Sequence, residues 1–432
     1  MIDLKVLRNE PDLVRAAIRD KGANVDLDLV LELDRDYVAL LREVEEVRAE
    51  RNRVSSSISG KPDEATIATA RALREQLASM EAELAEKKKA FFTAYKQVPN
   101  IPTHDTPVGH SEDENQVVRR WGERREFPFP AKNHYEIALH HDWIDKERAA
   151  KVAGSRFAYI KGDLVKLQFA LISLVFDKMT DEGFIGSVVK EAGLDISTRP
   201  FLPILPPYMI RTDIYDAMDR LEPVEERYRI DGEDLWLQGS AEHVIGSMHA
   251  EEILEEADMP LRYLGYATSF RSEAGAAGKD LEGIIRLHQF DKIEMESFTS
   301  PETSHAEHLL LSAIQERLMQ LLRIPYQKLQ KCTFDIGKPN AKGSDIEAWL
   351  PGQQKYRETH TADYMTDYQA RRLNTRVRRQ DGTLEFVHTN DATAFACGRT
   401  MVAIIENFQN EDMTVDIPEV LQGYMGGRTR IG

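Results

Sequence analysis

The sequence predicts an α+β protein built on an antiparallel sheet, preceded by an antiparallel helical coiled-coil arm. Three observations carry this. A seam of apolar residues at alternating steps of four and three runs through the first hundred residues, short strand-like runs separated by turn residues follow, and no glycine pattern of a P-loop or Rossmann nucleotide fold occurs.

The arm comes first. Leu33, Tyr37, Leu40, Val44, Val47, Arg51, Val54 and Ile58 keep a heptad seam with one charged exception. Ser59 to Asp63 supplies turn residues, and Ala70, Leu73, Leu77, Met80, Leu84, Phe91, Tyr95 and Val98 continue the pattern until Pro99 and Pro102. Two helices folding back on each other, each on the order of 40 Å long, satisfy this spacing. Arg42, Arg48, Arg53, Arg71, Arg74 and Lys87 to Lys89 lie on the outer face among many acids. Such a mixture equally suits a solvated face, and the seam equally suits a dimerisation coiled coil.

From Pro99 to about Lys132 the chain reads as loop. Beyond it, helical patterns at 161–182 and 301–322 alternate with strand candidates at 234–238, 262–270, 288–297, 344–349, 359–364 and 384–388. Turn-bounded strands of this kind suit an antiparallel sheet, so the division expected is 1–100 and 101–432.

The 432 residues suffice for two or three such units, and 42% hydrophobic with 30% charged residues is an ordinary globular composition. The first residues have no basic stretch followed by an apolar one, and no run is long enough to span a membrane, so a cytoplasmic location is expected. Cys332 and Cys397 lack zinc-site spacing, and no structural metal is expected. A net charge of −17 argues weakly against a nucleic-acid partner, because a phosphate backbone responds to the local patch within about 10 Å.

The chemistry concentrates in Phe270-Arg271-Ser272-Glu273-Ala274-Gly275-Ala276-Ala277-Gly278-Lys279-Asp280, followed by Gly283-Ile284-Ile285-Arg286-Leu287-His288-Gln289-Phe290-Asp291-Lys292-Ile293-Glu294. A strand, a glycine-bearing loop and a return strand would bring Arg271 and Arg286 to opposite ends of the loop. Two guanidiniums there can face one polyanion, and Phe290 can stack a base. Taken singly, each is equally an ordinary surface Arg–Glu pair or a core Phe.

As an ordered string, these residues resemble motif 2 of the class II aminoacyl-tRNA synthetases, and their Arg-Ser-Glu-Ala-Gly start and His-Gln-Phe return resemble the seryl-tRNA synthetases. The resemblance spans nearly the whole chain. Gly154 to Tyr159 and Leu205-Pro206-Pro207-Tyr208-Met209 are similar to the approach and core of dimer motif 1. Asp345 to Pro351, Tyr356-Arg357-Glu358 and Gln369 to Arg372 are similar to further seryl segments, and Gly398-Arg399-Thr400 through Gln409 to motif 3.

The resemblance implies a serine–tRNA ligase that works through seryl-adenylate, with ATP, L-serine and Mg²⁺. It implies Arg271, Arg286 and Arg399 as catalytic guanidiniums. Around ATP it places Ser272, Glu273, Leu287, Phe290, Glu358, Thr359, His360 and Thr361, with Glu358 and Thr361 also on the metal. Around serine it places Ser240, Ala241, Glu242, Glu294 and Thr393, with Arg271 shared. It further implies a homodimer whose arm grips tRNA(Ser), and tRNA(Sec) as a second substrate.

Two positions depart from the family pattern: His360 stands in a stretch usually rich in Ser and Cys, and Asp391 where Asn is common. The stretch 188–203 also departs, and no role is assigned to it. Two other functions fit the core, namely an amino acid:carrier-protein ligase, which the long arm disfavours, and a catalytically inert RNA-binding paralogue. The latter gains nothing from keeping Arg271, Glu273, Arg286, Glu294, Glu358 and Arg399 together.

Overall fold

The computed structural model describes residues 1–57, 63–274 and 282–432, which form two compact units, Met1–Ile101 and Pro102–Gly432.

In the first unit, two short helices, Leu4–Asn9 and Pro11–Asp20, precede the long helices α1 (Leu27–Ser57) and α2 (Glu64–Tyr95). Leu40, Val44 and Leu77 are buried between the long helices, with Val47, Met80 and Leu84 packed on them, as the seam predicts. An aromatic run closes the base of the arm, where Tyr37 stacks on Phe91 at 5.9 Å and Phe91 on Tyr95 at 5.3 Å. Arg48–Glu81 at 2.7 Å and Lys87–Asp36 at 3.0 Å join the two helices. Asp63 caps α2 by accepting from the Thr66 amide, whereas the turn expected from Ser59 to Pro62 lies outside the described residues.

The second unit is organised by an eight-stranded sheet. Its strands are β1 (Gln116–Trp121), β2 (Leu202–Ile204), β3 (Leu261–Phe270), β4 (Gln289–Thr299), β5 (Tyr326–Gln330), β6 (Lys342–Leu350), β7 (Lys355–Thr366) and β8 (His388–Ala396). The order across the sheet is β1-β5-β6-β7-β8-β4-β3-β2. All neighbours are antiparallel except β2 and β3, which run parallel.

Two expectations are corrected here. The loop-like stretch after Pro99 contains edge strand β1, whose pairing with β5 supplies the order that its mostly exposed side chains do not signal. The run 384–388 is divided between a short strand, Leu384–Phe386, and the start of β8. The unassigned stretch 188–203 is the end of helix Glu182–Glu191 and the turn into β2.

The sheet buries one face under α3 (Asp163–Met179), α4 (Pro301–Leu321) and α5 (Cys397–Asn407), where Ile293, Met295, Ile346, Ala362, Ala392 and Phe395 meet the helices. Because side chains alternate along a strand, the residues between these, including Lys292, Glu294, Asp363, Asp391 and Thr393, fall on the other face. That polar face holds the candidate site.

Candidate active site

Antiparallel pairing of β3 with β4 runs from Gln289 opposite Phe270 to Phe298 opposite Leu261, and so sets Arg271 and Phe290 at the same end of the hairpin. The Arg271 guanidinium carbon lies 5.4 Å from the Phe290 ring centre, and its Nε donates to the Gly239 carbonyl at 3.0 Å. Gly239 is held in turn: its amide donates to the Tyr215 hydroxyl, which contacts His243 Nδ1 at 3.0 Å. Burial lowers His243 to about 4, so this ring is neutral and acts as a strut.

Glu273 adopts φ +53°, a conformation uncommon for a non-glycine residue, which turns its carboxylate back onto Arg286 at 2.5 Å. The loop Gly275 to Asp280 lies outside the described residues. The chain resumes through Gly283 at φ +64°, where a Cβ would fall on the His134 ring, and then brings Ile284 and Leu287 into the pocket.

From the opposite side, α5 presents Arg399, whose guanidinium contacts the Glu358 carboxylate at 2.9 Å and its carbonyl at 3.1 Å. Burial pushes Glu358 upward, but Arg399, Lys331 and Arg271 together hold it below the usual carboxylate value. A bulge explains how Glu358 and Thr361 share a face. Ile346 pairs with His360 and Glu347 with Glu358, leaving Thr359 as an extra residue. The same bulge turns the His360 side chain away from the pocket and against Phe395, with ring centres 5.7 Å apart and Nδ1 2.8 Å from the Thr359 hydroxyl.

Arg271, Glu273, Arg286, Leu287, Phe290, Glu358, Thr359, Thr361, Thr393 and Arg399 line one pocket. A second cavity shares Arg271, Lys292, Glu358 and Thr361 with it and continues to Glu242, Glu294 and Asp391. There Lys292 Nζ is 2.5 Å from Glu294 and 3.7 Å from Glu242, and Thr393 donates to Glu294 at 3.1 Å. Burial raises Glu294 to about 7, with Glu242 adding to the effect and Lys292 opposing it. Glu242 is also buried, yet Lys292, His243 and Arg220 hold it well below the ordinary value.

Ser240 and Ala241 are fully buried behind this cavity, where the Ser240 hydroxyl donates to Glu242. The helix that starts at Glu242 can lie this close to β3 because a Cβ on Gly265 would be 2.1 Å from Ile245 Cδ1. Ser272 donates away from the pocket, to the Glu225 carbonyl.

A class II tRNA synthetase core model, described for the G, H, P, S and T enzymes, matches residues 224–408, and a seryl-tRNA synthetase N-terminal domain model matches residues 1–102. A serine–tRNA ligase of Symbiobacterium thermophilum is 40% identical over 430 residues, covering 98% of each chain. The chain belongs to the seryl-tRNA synthetase family.

Among solved structures, the seryl-tRNA synthetase of Pyrococcus horikoshii complexed with ATP superposes with a TM-score of 0.88 at 37% identity, covering 100% of this chain and 99% of that one. The cytoplasmic serine–tRNA ligase of Naegleria fowleri in complex with AMP gives 0.83 at 29% identity, covering 100% and 98%. As a seryl-tRNA synthetase family member, the chain is an aminoacyl-tRNA synthetase, a ligase, and its site contains residues that the motifs alone do not name. Lys292 stands two residues before Glu294, and the strand period could have placed it. Arg220, in the turn after helix Thr212–Ala217, carries no sequence signal and is found only through its proximity to Asp391 and Asp363.

Proposed function

We propose that the protein activates L-serine with ATP to seryl-adenylate and pyrophosphate, then transfers the seryl group to the 3′-terminal adenosine of tRNA(Ser) and of tRNA(Sec). The observation that carries this reading is the joining of two unlike cavities through Arg271. One has guanidiniums and an aromatic face suited to a nucleoside triphosphate, and the other has carboxylates suited to an ammonium.

In this reading adenine stacks on Phe290 beside Glu273 and the Leu287 backbone, and Arg399 and Arg286 take the terminal phosphates. Arg271 draws the serine carboxylate towards the α-phosphate. That carboxylate is ionised at neutral pH and needs no general base. Positioning and preorganised positive charge therefore do the catalysis, stabilising the charge that builds on the phosphorus oxygens. Glu242 and Glu294 receive the ammonium and hydroxyl of serine, helped by Thr393, while Ser240 and Ala241 shape the wall.

The donor set at the phosphate end also fits Mg²⁺. Glu358 and Thr361 offer hard oxygens on one face, and Asp345 stands opposite Thr361 in the strand register. Bound there, the ion would neutralise triphosphate charge. Arg399 is in ion-pair contact with Glu358 at 2.9 Å, with Lys331 and Arg271 also acting on it.

A homodimer accords with the exposed apolar residues in β2 and the segment that follows it, where Leu202 is 59%, Leu205 78% and Met209 45% exposed. The arm, with Arg42 and Arg74 exposed among its acids, would hold the long variable arm of the tRNA. No helix among the described residues is long and apolar enough to cross a membrane, and a cytoplasmic location goes with the proposed reaction.

The test is serine-dependent ATP–pyrophosphate exchange and tRNA charging in Arg271→Ala. Exchange should disappear while tRNA binding persists, and wild-type charging should require the variable arm of the tRNA. Undiminished exchange in the variant would overturn the role of Arg271, and charging of an armless tRNA would overturn that of the helical arm.

A further inference from the structure

Behind the site, on the sheet face that packs against the helices, stands a polar side chain that the proposed reaction leaves unused. Gln315 is 0% exposed and lies on α4 among Leu311, Ile314 and Leu318, which belong to the apolar core. Burying a primary amide in such surroundings is costly unless it makes hydrogen bonds. Gln315 makes them with one nitrogen: its Nε2 donates to the Thr361 carbonyl at 2.7 Å and to the Thr393 carbonyl at 2.9 Å. With a carbonyl on each side, the amide presents its NH₂ group, one hydrogen to each oxygen. Its Oε1 accepts nothing among the described residues, so the side chain is placed for its donors.

The two carbonyls flank a fork in the sheet. β7 and β8 pair at Tyr364–Asn390, Asp363–Asp391 and Ala362–Ala392, and among the described residues their register ends there on the pocket side. One residue further, Thr361 is paired outward to Asp345 on β6, and Thr393 outward to Glu294 on β4. The Gln315 amide takes the place of the missing ladder bond between strands whose backbones have parted. Beside it the His360 ring packs on Phe395, so side chains close the gap from the covered face.

The residues joined in this way serve different halves of the site. Thr361 and Thr393 both line the pocket. In the proposed reading Thr361 belongs with Glu358 to the triphosphate end, whereas Thr393 donates to Glu294, which takes serine.

We propose that Gln315 is a positioning residue for adenylate formation: by bridging the Thr361 and Thr393 carbonyls at the fork, it fixes the spacing between the nucleotide and amino-acid halves without touching either ligand. This rests on reading the two cavities as the ATP and serine sites. In the reaction a serine carboxylate oxygen bonds to the α-phosphorus as the bond to pyrophosphate breaks. Attack requires the reacting atoms to be held about 3–3.5 Å apart, and a misplacement of about 1 Å costs on the order of a hundredfold in rate. Each ligand is bound mainly within its own half, so an altered spacing falls on the step that needs both.

The experiment compares wild type with Gln315→Met, which keeps the reach of the side chain and removes both donors. ATP–pyrophosphate exchange gives kcat, and calorimetric titrations give the Kd of ATP alone and of serine alone. The kcat should fall about tenfold or more while each Kd changes about threefold or less. Gln315→Glu, which sets a carboxyl group against the two carbonyls, should lose at least as much. A residue that only supports the fold would lower the melting temperature and leave kcat per titrated active site unchanged.

An unchanged kcat in Q315M overturns the proposal, and so does a loss of kcat matched by an equal weakening of one ligand bound alone. Should Q315M fail to fold, Q315E and Gln315→Asn, which keeps the amide but shortens its reach, are read against the same outcomes. Wild type that activates no amino acid would instead sink the reading of the two cavities, and the catalytic role of the bridge with it. If an amino acid other than serine is activated, the same variants test the bridge with that substrate.

Discussion

The proposed nucleotide and amino-acid halves of the site share Arg271, yet they differ in charge and in exposure: the Glu358 side chain is 49% exposed and that of Glu294 2%. Around the nucleotide half, Arg271, Arg286, Arg399 and Lys292 face Glu273, Asp291 and Glu358, and Arg399, Lys331 and Arg271 hold Glu358 below the usual carboxylate value. In the amino-acid half seven carboxylates, among them Glu242, Glu294, Asp363 and Asp391, line the cavity with Arg220, Arg227, Arg271, Lys292 and Lys331, and burial lifts Glu294 to about 7. Glu242 and Glu294 are both buried, yet Lys292, His243 and Arg220 hold Glu242 well below the ordinary value while Glu294 rises, so burial alone does not decide the state of a carboxylate here. An excess of guanidinium awaits a polyanion, and an excess of carboxylate awaits an ammonium.

The largest effect should come from breaking the nucleotide half. Arg271→Ala removes the one guanidinium common to both cavities, and serine-dependent exchange should fall about a thousandfold, or about 4 kcal/mol of transition-state stabilisation. Phe290→Ala should follow, raising the KM for ATP by a factor corresponding to about 1–3 kcal/mol of lost stacking while leaving the KM for serine nearly unchanged. A parallel rise in both constants would show that the halves are not separable.

Gly265→Ala attacks the amino-acid half through its backing. The new methyl meets Ile245 and must displace the helix that starts at Glu242, costing about 1–3 kcal/mol of stability. Its kinetic signature should be a raised KM for serine with the KM for ATP preserved, read from paired titrations and a thermal melt.

A further effect is a pH dependence. Glu294 is raised from 4.5 to about 7 in the folded protein. Between those values the folded state binds a proton that the unfolded chain has released, so stability falls as pH rises through this window and is then level. Melting of the ligand-free protein should show that slope, and Glu294→Gln should reduce it. Serine, by supplying an ammonium to the ionised form, should bind better as pH passes about 7.

How much of this the sequence displays depends on whether a residue's place comes from its neighbours along the chain or across the sheet. The arm was legible because its seam is local, and Leu40, Val44 and Leu77 are buried where the heptads put them. Arg271, Phe290 and Arg399 were legible because each sits in a contiguous motif string.

Arg220 and Gln315 were not legible, since their partners are fixed by pairings between strands far apart in sequence. The bulge at Thr359 is the same kind of feature. The extra residue Thr359 puts Glu358 and Thr361 on one face and His360 on the other, and strand alternation read from sequence cannot reveal this. The strand β1 escaped notice because its side chains are largely exposed and its order comes from pairing with β5.

The most direct measurement is amino-acid-dependent ATP–pyrophosphate exchange with the wild-type protein, run separately with each standard amino acid. Exchange supported by serine alone is the result predicted by a guanidinium-rich pocket joined to a carboxylate-rich one. Exchange supported by a different amino acid, or by none, would contradict it.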